Sequence, residues 1–145
     1  MMGKKFKKIC AFVSILVPAV AHCEISEEVL CFDSSGAGSR NFGLHILHAD
    51  AAKWSGAFVK YRDAKSAITL VLKSEDAEEI ASGRPNQVTT TWYEVYGAKI
   101  TGEYEMVSQG ANVYSMTYES YGSHKKMAFL FNPWALDKNG GECIW

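Results

Sequence analysis

Nowhere in this 145-residue chain is there a run of about 20 apolar residues, the length a membrane-spanning helix needs. The longest apolar stretch, Ile9 to Ala21, stops at 13 residues. There is no internal repeat and no low-complexity tract, which excludes a solenoid and a disordered linker as the main architecture. Cysteine is scarce, at four residues, and neither Cys31 nor Cys143 has a further Cys or His at metal-ligand spacing. The Gly-rich stretch Ser34-Ser35-Gly36-Ala37-Gly38-Ser39 lacks the Lys-Ser/Thr pair and the following helix that a phosphate cradle requires. It reads as a flexible connection between strands. No nucleophile elbow is present, and the serines fall in loops and on polar strand faces.

What the chain does have begins with a leader. Lys4, Lys5, Lys7 and Lys8 form a basic n-region, the 13-residue apolar run follows, and Ala19 and Ala21 are the small residues of a cleavage site. Residues 1–23 therefore read as a secretory signal and 24–145 as a single exported domain, periplasmic or secreted, with no stable membrane insertion after cleavage. Cleavage after Ala21 would leave three cysteines, whereas cleavage after Cys23 leaves two, Cys31 and Cys143. The even count is the simpler reading in an oxidising compartment, where a leftover thiol invites wrong pairing. A lipoprotein acylated at Cys23 is the alternative, but His22 stands where a small residue is wanted. A Cys31–Cys143 disulfide would close a loop of over a hundred residues. In the chain-entropy description such a loop is worth roughly 4–5 kcal/mol.

The leader also hides the charge of the domain. All four of its charged residues are lysines, so residues 24–145 carry 11 basic and 16 acidic side chains, a formal net charge of −5 with histidine neutral. That balance argues against nucleic acid or an anionic membrane surface and suits a cationic protein partner.

The strongest periodicity is that of half-buried strands. Ile68, Leu70 and Leu72 alternate with Thr69, Val71 and Lys73; Ile100, Gly102, Tyr104 and Met106 alternate with Thr101, Glu103 and Glu105. Tyr114, Met116 and Tyr118 alternate with Ser115, Thr117 and Glu119. Strands are predicted near 28–33, 41–49, 54–61, 66–73, 88–96, 99–107, 113–119, 126–132 and 142–145. Tyr96-Gly97-Ala98-Lys99 reads as a hairpin with a type II′ turn, and Ser108–Asn112 as a longer hairpin loop around Gly110. One segment departs from the pattern: Ser74 as a cap, an acidic first turn and Gly83 at C′ predict about two helical turns over 74–83. The fold class is thus all-β with one short helix, a small antiparallel meander closing into a barrel or sandwich, its termini tied by the disulfide.

Candidate chemistry is sparse. His45 and His48, three apart in a strand, point to opposite faces and cannot chelate one ion together. Glu103 and Glu105 are neighbours on one polar face, about 7 Å apart by strand rise, a spacing compatible with a carboxylate-dependent hydrolase. Trp92 lies in a strand with aromatic or apolar groups on both faces, which leaves an exposed aromatic face as one outcome. No catalytic residue, metal site or cofactor is assigned. The leading expectation is a non-enzymatic binder, an inhibitor or immunity protein that neutralises a secreted partner such as a cell-wall hydrolase or toxin. The expected contact residues are Arg84, Asn86, Glu103, Glu105, Tyr121 and His124. In architecture the domain is similar to bacterial periplasmic lysozyme inhibitors, also small exported β-domains, and that likeness implies the same kind of role. A lipocalin-like carrier of a small apolar ligand is the second expectation and the hydrolase the third.

Overall fold

The computed structural model describes residues 24–35 and 40–145, so the expected signal (1–23) and residues 36–39 of the Gly-rich connection lie outside the described part. Eight strands follow one another: β1 (Ser26–Ser34), β2 (Phe42–Ala49), β3 (Trp54–Tyr61), β4 (Ile68–Glu78), β5 (Gln87–Tyr96), β6 (Lys99–Gln109), β7 (Asn112–Ser120) and β8 (Lys126–Phe131). Each pairs antiparallel with the next, and β8 returns to β1 through Phe32↔Phe131, Asp33↔Leu130 and Ser34↔Phe129. The meander therefore closes into a barrel, which removes free sheet edges wherever pairing is complete.

Alternation puts Phe32, Phe42, Leu44, Ile46, Val59, Leu70, Trp92, Tyr104, Met106, Met116 and Phe129 inside as one buried cluster. Phe42 holds its centre, 5.2 Å from the Phe32 ring, 4.8 Å from Phe129 and 5.7 Å from Tyr104, in the stacked and edge-on geometries that aromatic rings favour. The outward residues Val29, Cys31 and His45 are also buried. Cys31 and His45 lie under a C-terminal strap, whose Asn132 N–H donates to the Cys31 carbonyl at 2.8 Å. The strap is fixed by the Cys31–Cys143 disulfide, with Cα atoms 5.7 Å apart. Gly43 suits this close crossing: a Cβ there would stand 3.1 Å from the Cys143 sulfur and 3.2 Å from His45 Nε2, so these neighbours would have to give by a few tenths of an ångström.

Four sequence expectations are corrected. The helix over 74–83 does not form. Ser74–Glu78 instead continues β4 and pairs with Gln87–Thr91, because the β-branched run Thr89-Thr90-Thr91 offers a ladder. The only apolar groups a helix here could have packed are Ala77, Ile80 and Ala81, and a helix this short is marginal without a packed face. The final strand over 142–145 reduces to one bridge, Leu136↔Cys143. The turn at Gly97-Ala98 has positive φ at both residues, 57° and 62°, which is type I′ rather than II′. At Gly110-Ala111 only Gly110 is positive, the pattern of type II′.

The fourth correction concerns which side chains face in. Bulges interrupt the ladders between Leu72 and Ser74, between Glu94 and Val95, and between Val107 and Ser108. Each shifts the alternation by one residue. Ile100 and Tyr114, expected on the core rows, are thereby turned out and are 50% and 59% exposed.

Candidate functional site

In an up-and-down barrel the connections after odd-numbered strands gather at one end and those after even-numbered strands at the other. The charges divide the same way. The end carrying the odd connections holds Arg40, Arg62, Lys65, Lys99, Lys125 and Lys126 against Asp63, Glu119 (paired with Lys126) and Glu142 beside Arg62. The opposite end holds Glu24, Glu27 and Glu28 at the start of β1, Asp50 after β2, and Glu75, Asp76, Glu78 and Glu79 along the β4–β5 hairpin. Among the described residues Lys53 and Arg84 stand against these, and Glu27 is paired with His45 Nδ1 at 2.7 Å. The modest net charge thus conceals a polar molecule.

At the acidic end the barrel is open. The pairing of β3 with β4 stops at Ala57↔Leu70, so the two strands part beyond it and the rest of β4 has no partner on that side. The gap leads into a pocket of about 250 Å³. Its floor is Ile46, Trp92 and Met106, its wall Leu72 and Val88, and its rim Glu28, His48, Ser55, Glu75, Thr90 and Ser108. Glu75 reaches the rim because of the Lys73 bulge: the register passes from Leu72↔Trp92 to Ser74↔Thr91, which swings Glu75 inward opposite Thr90. Strict alternation from Ile68 would have sent it outward. Sequence reasoning missed Glu75 for this reason; it did not single out Glu28 or His48 as pocket residues, although their strands keep strict alternation and it placed His45 and His48 on opposite faces, as they are.

At the basic end the interior holds a polar network instead. Glu94 is buried, and its Oε1 accepts from the Thr101 hydroxyl at 2.6 Å and the Tyr118 hydroxyl at 2.9 Å. Its Oε2 accepts from Tyr104 at 3.3 Å. The Tyr61 and Tyr104 hydroxyls are 2.6 Å apart, and since Tyr104 spends its proton on Glu94, Tyr61 is the donor between them. The bulge beside Glu94 directs Thr101 to the carboxylate, and Gly102 makes room for Tyr118, whose ring a Cβ would meet at 2.7 Å. Burial, then Tyr61 and Glu94 nearby, hold the Tyr104 hydroxyl far above the ordinary tyrosine range; burial and the bond to Glu94 do the same to Tyr118.

The residues expected to form one contact patch are divided by the fold. Glu103 and Tyr121 do meet: the Tyr121 hydroxyl donates to Glu103 at 2.7 Å, and Lys73 Nζ donates to the same oxygen at 2.6 Å while standing 5.2 Å above the Tyr93 ring. The lysine first, then the phenol, lower the Glu103 pKa, and Tyr121 is pushed up to about 12, chiefly by that bond. Beside them Lys126 pairs with Glu119 at 2.9 Å. Glu105 shares the outer row and is exposed, and His124 lies in the β7–β8 loop with φ 52°. Arg84 and Asn86 belong to the β4–β5 loop, at the other end of the barrel, where the Gln109 amide holds the Pro85 carbonyl at 2.8 Å. On this face Glu103 and Glu119 are each met by a lysine, whereas the larger group of acids sits at the open end. Compared with protein-family models, curated proteins and solved structures, the chain matches none of them.

Proposed function

We propose that this protein is an exported, non-enzymatic binding protein that neutralises a cationic secreted partner, such as a cell-wall hydrolase or toxin. The observation that supports this most is the charge polarity. Among the described residues eight carboxylates, one of them (Glu27) paired with His45, against Lys53 and Arg84 frame one end of a barrel whose opposite end carries more bases than acids. A field of that form orients an approaching cationic protein and speeds encounter with the acidic end. The same end presents Leu72 and Ile80, 44% and 54% exposed, and the unpaired stretch of β4, so contact surface and charge coincide. A lipocalin-like carrier of an extended apolar ligand fits less well, because buried side chains fill the barrel from Phe32 to Phe129. A hydrolase built on Glu103 would have to work with an oxygen already held by Lys73 and Tyr121.

Charge reversal tests the reading. Asp76, Glu78 and Glu79 are exposed, so replacing all three by Lys should leave the fold intact. Binding to a panel of basic secreted peptidoglycan hydrolases should slow in association by about tenfold or more at low salt. Glu103→Lys with Glu105→Lys should slow it less. If no basic hydrolase is bound or inhibited at low salt, or if the triple variant binds as fast as the parent, the proposal fails.

A further inference from the structure

We infer that the pocket at the acidic end is a binding site for a small amphiphilic cation, an amine or guanidine carried on a short aryl or alkyl body. The inference goes beyond protein binding and does not depend on it. Its first support is the lining. Trp92, Met106 and Ile46 form a buried apolar floor, while Glu28 and Glu75 stand at the mouth and no Lys or Arg takes part. An apolar body is drawn to such a floor, and a positive head to such a rim.

The second support is that the rim is constructed rather than incidental. Glu28 lies on the inward row of β1 with Leu30 and Phe32, and Glu75 is turned in by the Lys73 bulge, so acids from two separate strands converge on one opening. The hydroxyls of Ser55, Thr90 and Ser108 add acceptors for an ammonium. Size narrows the class further. An apolar cavity of about 150 Å³ holds benzene, so the 250 Å³ here suits a ring with a short tail. A fatty acyl chain would find Tyr104, Phe42 and Phe129 packed below the floor.

Methionine methyl groups provide the test. In protein labelled with [methyl-¹³C]methionine, Met106 reports the pocket, whereas Met127 lies near Arg40 at the basic end and serves as the control. Titration with tryptamine should shift the Met106 signal and leave Met127 still, with Kd of roughly 0.1–1 mM, the range for a ligand of about a dozen heavy atoms. Tryptophol, the uncharged analogue, should bind several-fold more weakly, and indole-3-acetate about tenfold more weakly or not at all. Glu28→Gln with Glu75→Gln, at two exposed positions, should abolish the preference for the amine without lowering the thermal midpoint. An unmoved Met106 signal overturns the site. Equal binding of amine, alcohol and acid, or a double variant that keeps the preference, overturns the assignment of the ligand's charge. No protein partner enters the measurement, so its failure and that of the protein-binding reading are separable.

Discussion

Replacing Glu94 by Ala should be among the most damaging single changes in this barrel, and replacing it by Gln far milder. The carboxylate accepts from Thr101, Tyr118 and Tyr104, and through Tyr104 it orients Tyr61, so four strands, β3, β5, β6 and β7, meet at one group. Hydrogen bonds to a charged group contribute about 1.5–3 kcal/mol each, and a donor left unpaired in the interior costs about 1–3 kcal/mol. Tyr118 and Thr101 are half-buried and can turn to water, whereas Tyr104 is fully buried and cannot. Counting Tyr104 in full and the others in part, Glu94→Ala should lower unfolding free energy by about 3–4 kcal/mol. That is a large share of the roughly 5–15 kcal/mol typical of a domain. In Glu94→Gln the amide oxygen keeps the Thr101 and Tyr118 bonds and the NH₂ donates to Tyr104, which can then donate to Tyr61. The cost should fall to about 1–2 kcal/mol. Urea denaturation measures both, with the slope checked for constancy. An Ala variant within about 1 kcal/mol of the parent, or Gln as costly as Ala, would refute the account of the network as an organised acceptor site.

The same network should fix the alkaline limit. Tyr104 and Tyr118 have pKa values raised by burial above the ordinary 10.0, so below pH 10 both folded and unfolded chains hold these protons. Above it the unfolded chain releases them first, and stability should drop by about 1.4 kcal/mol per pH unit for each tyrosine until the folded values are reached. Denaturation curves collected through this range should steepen in this way, and Tyr104→Phe should flatten the fall; a stability independent of pH there is inconsistent with the burial. For the disulfide, residues 24–145 unfolded without reductant should titrate no thiols, and Cys31→Ala with Cys143→Ala should cost up to about 4–5 kcal/mol for a bridge spanning 112 residues. The amides of Ala135 and Ile144 in the strap should then exchange faster with solvent; two reactive thiols in the unfolded parent would exclude the bridge.

Period-2 alternation in three segments, with β-branched and aromatic runs in the rest, located all eight strands, and Cys31 and Cys143 located the strap's anchor. Both signals are local or nearly so: one face of a strand must be apolar to be buried, and a cysteine pair with no further Cys or His at ligand spacing has few alternatives. The helix over 74–83 was misread because cap, acidic first turn and Gly83 are real local preferences. Gly83 does take a positive φ, 77°, but in the loop after β4 rather than at a helix end. What overrode the helix was a partner strand, Gln87–Thr91, whose pairing no local window reveals. The expected contact residues are divided between the two ends for a related reason. Arg84, Asn86, Tyr121 and His124 are all polar loop residues, and nothing in their spacing says that connections of opposite parity lie at opposite ends of a barrel.

The bulges explain why the candidate sites were less legible than the fold. The β1–β2 and β2–β3 ladders run without a shift from Ser26↔His48 to Phe42↔Tyr61. All three register shifts fall in β4 to β7, and each re-aims a side chain. One lifts Lys73 onto Glu103 and turns Glu75 into the mouth; one brings Thr101 to Glu94. The third turns Tyr114 outward, where its hydroxyl donates to Gln109 at 2.9 Å, and Gln109 holds the β4–β5 loop at Pro85. A bulge disrupts the ladder locally and persists where the redirected groups offset that cost. The barrel is therefore regular where it carries the disulfide and the strap, and irregular where it carries the pocket, the buried carboxylate and the outer ion pair. Alternation written in one strand predicts the regular half. The irregular half depends on how two strands count against each other, which is why Glu28 and Glu75 meet at one opening although 47 residues separate them in the chain.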